Sequence, residues 1–152
     1  HFEFHPNNKF AYLMEEMSGG ISVFAYKGKG QLDLVQNISA LPPDYIGVVG
    51  SADIHVSADG KFLYASNRGE SNTIAIFRIN QQSGELTLAG HQSTLGKTPR
   101  NFNLDLSGNY LLVANQNSDN IVIFKRDKTT GLLTDTGKKI EVGNPVCIKW
   151  IK

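Results

Sequence analysis

The sequence repeats one pattern three times, as Asn8-Lys-Phe-Ala-Tyr-Leu-Met-Glu-Glu-Met-Ser18, Gly60-Lys-Phe-Leu-Tyr-Ala-Ser-Asn-Arg-Gly-Glu70 and Gly108-Asn-Tyr-Leu-Leu-Val-Ala-Asn-Gln-Asn-Ser118. The three segments align without gaps and begin 52 and 48 residues apart. A short alternating run precedes each segment, and two further runs follow it. Self-similarity with a period of about 50 residues indicates one supersecondary unit per repeat.

Each unit contains four short runs rich in β-branched and aromatic residues, as β-strands do. In the first unit the repeated segment is preceded by Phe2-Glu-Phe-His5 and followed by Ile21-Ser-Val-Phe24 and Leu32-Asp-Leu-Val35. Turn residues such as Ala58-Asp-Gly60 separate the runs. No helix-length segment has a 3.6-residue period. We therefore predict an all-β fold built of β-propeller blades, each of four antiparallel strands. A sandwich or an open meander is disfavoured because the repeat is ungapped.

The repeats divide the chain into blades at about 1–50, 51–98 and 99–143, and residues 144–152 are predicted to start a further unit with its first strand. A closed propeller needs roughly four to eight blades. The sequence opens inside a strand, at His1, so we expect it to be part of a longer protein. Uncovered terminal blades would expose apolar sheet, so missing N-terminal blades or self-association of the fragment should cover them.

Composition narrows the function classes. The chain of 152 residues is 40% hydrophobic and 19% charged, with a formal net charge of +1. This balance gives no electrostatic reason to expect binding to nucleic acid or to a membrane surface. Its one cysteine, Cys147, forms no internal disulfide, which fits a cytoplasmic location. No residue cluster has metal-ligand spacing and no glycine-rich phosphate loop is present, so we expect no metal and no cofactor.

Polar residues recur where the units would form a common rim. The first and second strands of a blade run antiparallel, so the start of one and the end of the other lie at the same edge. The residues at these places, with two more near the axis, are His1, Asp53, Asn101 and Arg100 at the first strands, Glu16, Arg68 and Gln116 at the ends of the second strands, and His55 and Asn103 within first strands.

Each of these residues also has a structural interpretation. A single polar residue at a strand end is most simply a surface turn residue, and His55 is most simply a hydrogen-bonding partner of a neighbouring blade. Glu16 and Arg68 occupy equivalent positions in adjacent units. They form either a structural ion pair between blades or an acid/base group beside an anion clamp.

Three strings carry a resemblance to a known family: His1-Phe-Glu-Phe-His-Pro-Asn7, Ala52-Asp-Ile-His55 with its downstream Ser66-Asn-Arg68, and Pro99-Arg-Asn-Phe-Asn-Leu-Asp105. With them the sequence resembles the C-terminal part of the lactonase-type seven-bladed β-propellers. That family includes one type of 6-phosphogluconolactonase and the fungal carboxy-muconate lactonizing enzyme. WD40 propellers are disfavoured because no Trp-Asp signature occurs and the only tryptophan is Trp150.

The resemblance implies about three of seven blades and a site at the channel mouth. It implies that the whole protein hydrolyses a small anionic sugar-acid lactone. The favoured substrate is 6-phosphogluconolactone, which is hydrolysed in the pentose phosphate pathway. Alternatives are the carboxy-muconate cyclase reaction or a non-catalytic binding propeller. The candidate residues are Glu16, His1 and His55 as catalytic groups, and Arg68, Arg100, Asp53, Asn103 and Gln116 as substrate-binding groups. The chain alone is expected to be inactive, because the family's earlier blade supplies a further histidine.

Overall fold

A computed structural model describes residues 1–151, and Lys152 lies outside the described residues. Twelve strands form three separate four-stranded antiparallel sheets, each in chain order. The strands of the first sheet are β1 (Phe2–Phe4), β2 (Phe10–Met14), β3 (Gly20–Gly28) and β4 (Gln31–Ser39). Those of the second are β5 (Ser51–Val56), β6 (Phe62–Asn67), β7 (Thr73–Ile79) and β8 (Leu86–Ser93). Those of the third are β9 (Pro99–Leu104), β10 (Tyr110–Asn115), β11 (Asn120–Arg126) and β12 (Leu133–Glu141).

The predicted all-β fold of four-stranded antiparallel blades is confirmed. The three repeated segments contain the second strands β2, β6 and β10, and each pairs with the strand before and after it. A single 3₁₀ turn, Gln116–Ser118, is the helical element of the described residues. No helix within residues 1–151 has the length and apolar character needed to span a membrane.

The hydrophobic core lies between the sheets, as expected for blades that pack face to face. One cluster joins the first and second sheets and includes Tyr12, Leu63 and Phe77. A second cluster joins the second and third sheets and includes Tyr64 and Phe102. Because the second sheet is covered on both faces, its central strand β6 is buried along its whole length.

Each interface between neighbouring sheets uses the same tyrosine contact. The hydroxyl of Tyr12 donates to the carbonyl of Gly84 at 3.2 Å, and that of Tyr64 donates to Gly131 at 2.8 Å. Both tyrosines are fully buried. The Tyr64 hydroxyl also accepts a hydrogen bond from Nε of the buried Arg126 at 2.8 Å. Burial raises the pKa of Tyr64 to about 12, against the opposing effect of Arg126, so the hydroxyl keeps its proton.

Replacing Tyr64 with phenylalanine should therefore destabilise the protein more than the same change at Tyr12. Tyr64→Phe leaves two buried polar groups unpaired, the Arg126 Nε and the Gly131 carbonyl, and should lower the free energy of unfolding by about 2–4 kcal/mol. Tyr12→Phe leaves only the Gly84 carbonyl unpaired and should cost about 1 kcal/mol. Urea unfolding of both variants measures the difference. Equal losses would show that the guanidinium contact contributes nothing.

The outer face of the third sheet is partly open, since the segment around Ile148 covers only the part of it at Leu112 and Ala114. Tyr110 and Leu112 stand in the repeat where Phe62 and Tyr64 stand in the second sheet. Here no further sheet of the described residues covers them, and Tyr110 is 41% exposed. With Leu106, Ile123 and Trp150, among others, they line an open apolar groove of about 640 Å³. The first sheet also exposes large apolar side chains, namely Phe2, Phe4 and Leu34, whereas strand β6 of the middle sheet is buried throughout.

The predicted first strand at 144–152 makes no ladder with another strand over the described residues 144–151. Side chains of β9 hold the segment instead. Asn101 Oδ1 accepts a hydrogen bond from the Ile148 amide at 2.6 Å, and Asn103 Nδ2 donates to the Ile148 carbonyl at 3.0 Å. These bonds place Ile148 beside the first strand of the third sheet. That the segment starts a further blade stays a prediction.

Candidate active site

A β-bulge positions the polar side chains at the start of the first strands. In the second sheet Ser51 pairs with Asn67 and Ile54 with Ala65, so two residues of β5 face the single residue Ser66. In the third sheet Pro99 pairs with Asn115 and Asn101 with Ala114, so Arg100 is the extra residue of β9. A bulge locally breaks the alternation of side chains and redirects them. Asp53 lies within the first bulge and Asn101 directly follows the second, and the two side chains contact each other between neighbouring blades.

Asp53 is the centre of this arrangement. It is buried, with 3% of its surface exposed, and its own amide donates to Ser66 Oγ at 3.0 Å. Its carboxylate accepts hydrogen bonds from groups of all three sheets. Oδ1 accepts from His1 Nδ1 at 2.8 Å and from the Ile54 amide at 3.0 Å, and Oδ2 accepts from His55 Nε2 at 3.2 Å, from Asn101 Nδ2 and from the Phe102 amide at 3.2 Å.

His55 lies between two carboxylates. Its Nε2 contacts Asp53, and its Nδ1 lies 3.8 Å from Glu3 Oε1 on the first sheet. The edge-to-face ring of Phe102 packs against it with the centroids 5.1 Å apart. Burial alone would lower the pKa of His55, but the hydrogen bonds and charges of Asp53 and Glu3 outweigh it and raise the pKa to about 9. His55 therefore carries a positive charge at neutral pH, which favours a charge-holding role over that of a base.

Glu16 and Arg68 are in contact, as their equivalent places in adjacent repeats predict. Arg68 Nη2 donates to Glu16 Oε1 and also to the Ser51 carbonyl at 2.9 Å. Only 17% of the Arg68 side chain is exposed, against 60% for Glu16. The neighbouring Glu15 accepts from the hydroxyls of Ser18 and Ser22, which lower its pKa. Glu16 is thus the glutamate that faces the next blade.

The remaining predicted residues lie at the rim without joining these contacts. Asn103 donates a hydrogen bond to the Ile148 carbonyl. Within residues 1–151 the side chains of Arg100 and Gln116 make no hydrogen bond, and Gln116 sits in the 3₁₀ turn. No group of three or more His, Cys, Asp and Glu side chains among the described residues is arranged to hold a metal ion.

The rim therefore brings an imidazole, a carboxylate and a guanidinium to one strand. His1 is half-exposed and reaches β5 through Asp53, while Arg68 reaches the same strand through Ser51, two residues earlier. Glu3 was not among the residues singled out from the sequence. Its signal was its alignment with His55 in the repeat, which places the two side chains on adjacent blades.

Three four-stranded antiparallel sheets that pack face to face are the blades of a β-propeller, and the polar contacts described above lie at the start of their first strands. Residues 1–150 match the model of the family described as "Lactonase, 7-bladed beta-propeller", and the chain belongs to that family. This confirms the resemblance seen in the sequence.

The relatives include several proteins named for lactone hydrolysis. A protein of Formosa agariphila named 6-phosphogluconolactonase is 48% identical over 143 residues, which are 93% of this chain and 40% of the relative. One of the same name from Bacillus subtilis is 40% identical over 152 residues, 99% of this chain and 43% of the relative. The structure of a periplasmic gluconolactonase from Pseudomonas aeruginosa matches with a TM-score of 0.96 and 38% identity, over 100% of this chain and 42% of that one. This chain thus spans about two fifths of the length of these relatives.

Proposed function

We propose that the whole protein carrying this chain hydrolyses a sugar-acid lactone, with 6-phosphogluconolactone as the first candidate substrate. The names of the relatives support the reaction class. The observation that carries the proposal is that His1 and Arg68 both hydrogen-bond to strand β5, His1 through the Asp53 carboxylate and Arg68 through the Ser51 carbonyl. A general base that activates water and a cation that stabilises the developing oxyanion each accelerate the hydrolysis of an ester.

In the proposed reaction His1 Nε2 takes a proton from a water molecule, whose oxygen attacks the lactone carbonyl. Arg68 stabilises the negative charge that develops on the carbonyl oxygen. The ring C–O ester bond then breaks, and the imidazolium returns the proton to the leaving ring oxygen. The product is the open-chain sugar acid. Glu16 is the alternative base, and Arg100 is proposed as a further group that binds a phosphate or carboxylate of the substrate.

The Glu16–Arg68 contact bears directly on substrate binding. Glu16 occupies the Nη2 donor that an anionic substrate would use. Because its side chain is largely exposed, Glu16 is free to swing away when an anion competes for the guanidinium. The contact therefore serves as an ion pair in the free protein and as an anion site in the complex.

The proposal is tested by lactone hydrolysis in the whole protein with Arg68→Ala and Glu16→Gln. Losing a cation that faces the oxyanion should lower kcat/KM about 10²–10³-fold. Glu16→Gln should lower it less if His1 is the base, and by a comparable factor if Glu16 is. Lys61→Ala is the matched control, since it removes one exposed positive charge at the opposite end of β6. Unchanged rates in both rim variants, with the fold intact, would refute this site.

The assay uses the whole protein because this chain covers only part of its relatives' length. We propose that further blades cover the apolar outer faces of the first and third sheets and complete the mouth. The 152-residue chain by itself is then expected to be inactive. A cytoplasmic location also remains a proposal, which cell fractionation would test.

A further inference from the structure

We propose that Asp53 is a positioning residue, which holds His1 in the tautomer whose Nε2 can accept a proton. The same carboxylate links the first strands of three blades. The kinetic part of this inference rests on the proposed lactone hydrolysis. Its structural part does not, because the tautomer of His1 is a property of the protein without substrate. Asp53 thereby takes a different role from the substrate-binding one that its sequence position suggested.

The hydrogen bonds of Asp53 leave it no capacity for a substrate. An ionised carboxylate offers about four acceptor sites. Five protein donors already approach the two oxygens of Asp53, and the side chain is 5% exposed. A substrate would have to displace a donor from another blade to reach it. Contact with protein groups is therefore the function that the geometry allows.

The carboxylate dictates which nitrogen of His1 carries the proton. An ionised carboxylate only accepts hydrogen bonds, so the Nδ1 of His1, 2.8 Å from Oδ1, must be the donor. In a neutral imidazole the other nitrogen is then an acceptor. With 48% of the side chain exposed, Nε2 has access to water in the rim. When Nε2 takes a proton, the nearby anion stabilises the imidazolium that forms.

The two histidines on Asp53 have different surroundings and so different roles. His55 uses Oδ2 and faces a second carboxylate, Glu3, at 3.8 Å. His1 uses Oδ1, and no other carboxylate lies within 4.0 Å of its ring nitrogens among the described residues. His55 is also the more buried of the two. His55 therefore serves as the fixed positive charge beside Asp53, while His1 is the group whose Nε2 can take a proton from water at the rim.

The β-bulge explains how one carboxylate serves three blades. Regular pairing of β5 would point successive side chains to alternate faces of the sheet. The bulge between Ser51 and Ile54 breaks that alternation, and the amide of Asp53 is fixed by Ser66 Oγ. Oδ2 can then accept from Phe102 and Asn101 on the next blade while Oδ1 faces His1 on the previous one.

The first test needs no substitution. In the whole protein, two-bond ¹⁵N–¹H correlations of the His1 ring should show the Nδ1–H tautomer at pH values where the ring is neutral. A predominant Nε2–H tautomer would overturn the proposal, whether or not the protein hydrolyses lactones. Absence of lactone hydrolysis together with the expected tautomer would instead count against the proposed function alone.

The second test uses Asp53→Asn, which keeps the shape of the side chain and adds donors. The amide nitrogen can face His1 only if Nδ1 becomes the acceptor, so Nε2 would carry the proton and be blocked as a base. We expect kcat to fall about 10²–10⁴-fold, with KM changed less than about threefold. Asp33→Asn, an exposed carboxylate on β4, is the matched control and should leave kcat unchanged.

A double substitution separates positioning from mere structural support. If Asp53 acts through His1, the variant with both His1→Ala and Asp53→Asn should be no slower than His1→Ala alone, because residues that act as a unit are non-additive. A further loss of the full Asp53→Asn factor in the His1→Ala background would overturn the positioning role. Should Asp53→Asn fail to fold, the tautomer measurement on the unaltered protein still decides the proposal.

Discussion

Replacing Gly131 with alanine should lower the free energy of unfolding by about 2–5 kcal/mol. A Cβ atom at this position would lie 2.2 Å from Cδ1 of Phe62, a fully buried ring between the second and third sheets. The φ angle of Gly131 is +80°, a left-handed conformation that costs an L-residue further energy. The two sheets cannot move apart to relieve the clash without lengthening the Tyr64–Gly131 hydrogen bond.

Gly137→Ala is the matched control for this prediction. Gly137 also has a left-handed backbone, with φ of +70°, but a Cβ there would meet nothing within 4 Å. It should therefore show only the backbone cost of about 1–2 kcal/mol. Urea unfolding followed by circular dichroism measures both variants. Equal destabilisation of the two variants would show that the Phe62 ring does not require a glycine at position 131.

The blade architecture could be predicted from the sequence because the signals that set it are local. Alternating apolar residues define the strands, and Asn, Asp and Gly define the turns between them. The contacts between blades repeat with the same period. Phe10 and Phe62 occupy the same place in the repeat, and they pack on the turn glycines Gly84 and Gly131 respectively. The contacts at one interface between blades therefore predict the equivalent contacts at the next interface.

The rim could be predicted only in part. The repeat placed Glu16 and Arg68 in neighbouring blades, and the structure shows them in contact. The role of Asp53 could not be read in the same way, because it depends on the bulge in β5. Whether β5 pairs regularly is decided by how Ser51 and Ile54 meet β6, and the sequence pattern does not reveal this. The redirected side chain is thus a consequence of tertiary structure.

The last residue of β10 shows the same limit. Asn115 is fully buried, and its Nδ2 donates to the Thr94 carbonyl at 3.0 Å, which ties the second sheet to the third. Asn67, its counterpart in β6, makes the equivalent bond, since its Nδ2 donates at 2.6 Å to the carbonyl of Ala40, which directly follows β4 as Thr94 follows β8. Both look like turn residues in the sequence, since asparagine is common there. Only the folded connections provide the carbonyl groups that make them buried links between blades.

The stability of the protein should fall as the pH rises from about 6.5 to about 9, by on the order of 3 kcal/mol through His55. Asp53 and Glu3 raise the pKa of His55 in the folded state above the value of about 6.5 expected for an unfolded chain. The folded state therefore binds the proton more tightly. This contribution is fully present below pH 6.5 and is lost as the pH passes through the folded pKa.

Urea unfolding at pH 6, 7.5 and 9.5 would measure this dependence, with His55→Gln as the control. Glutamine keeps hydrogen-bonding capacity but does not titrate, so the variant should be less stable at pH 6 and nearly level across the window. The difference between the two curves isolates the contribution of His55. If the unaltered protein and the variant show the same slope, the positive charge between Asp53 and Glu3 does not stabilise the rim. A difference that grows toward low pH would show that this charge helps to hold the first strands of neighbouring blades together, since Glu3 belongs to β1 and Asp53 to β5.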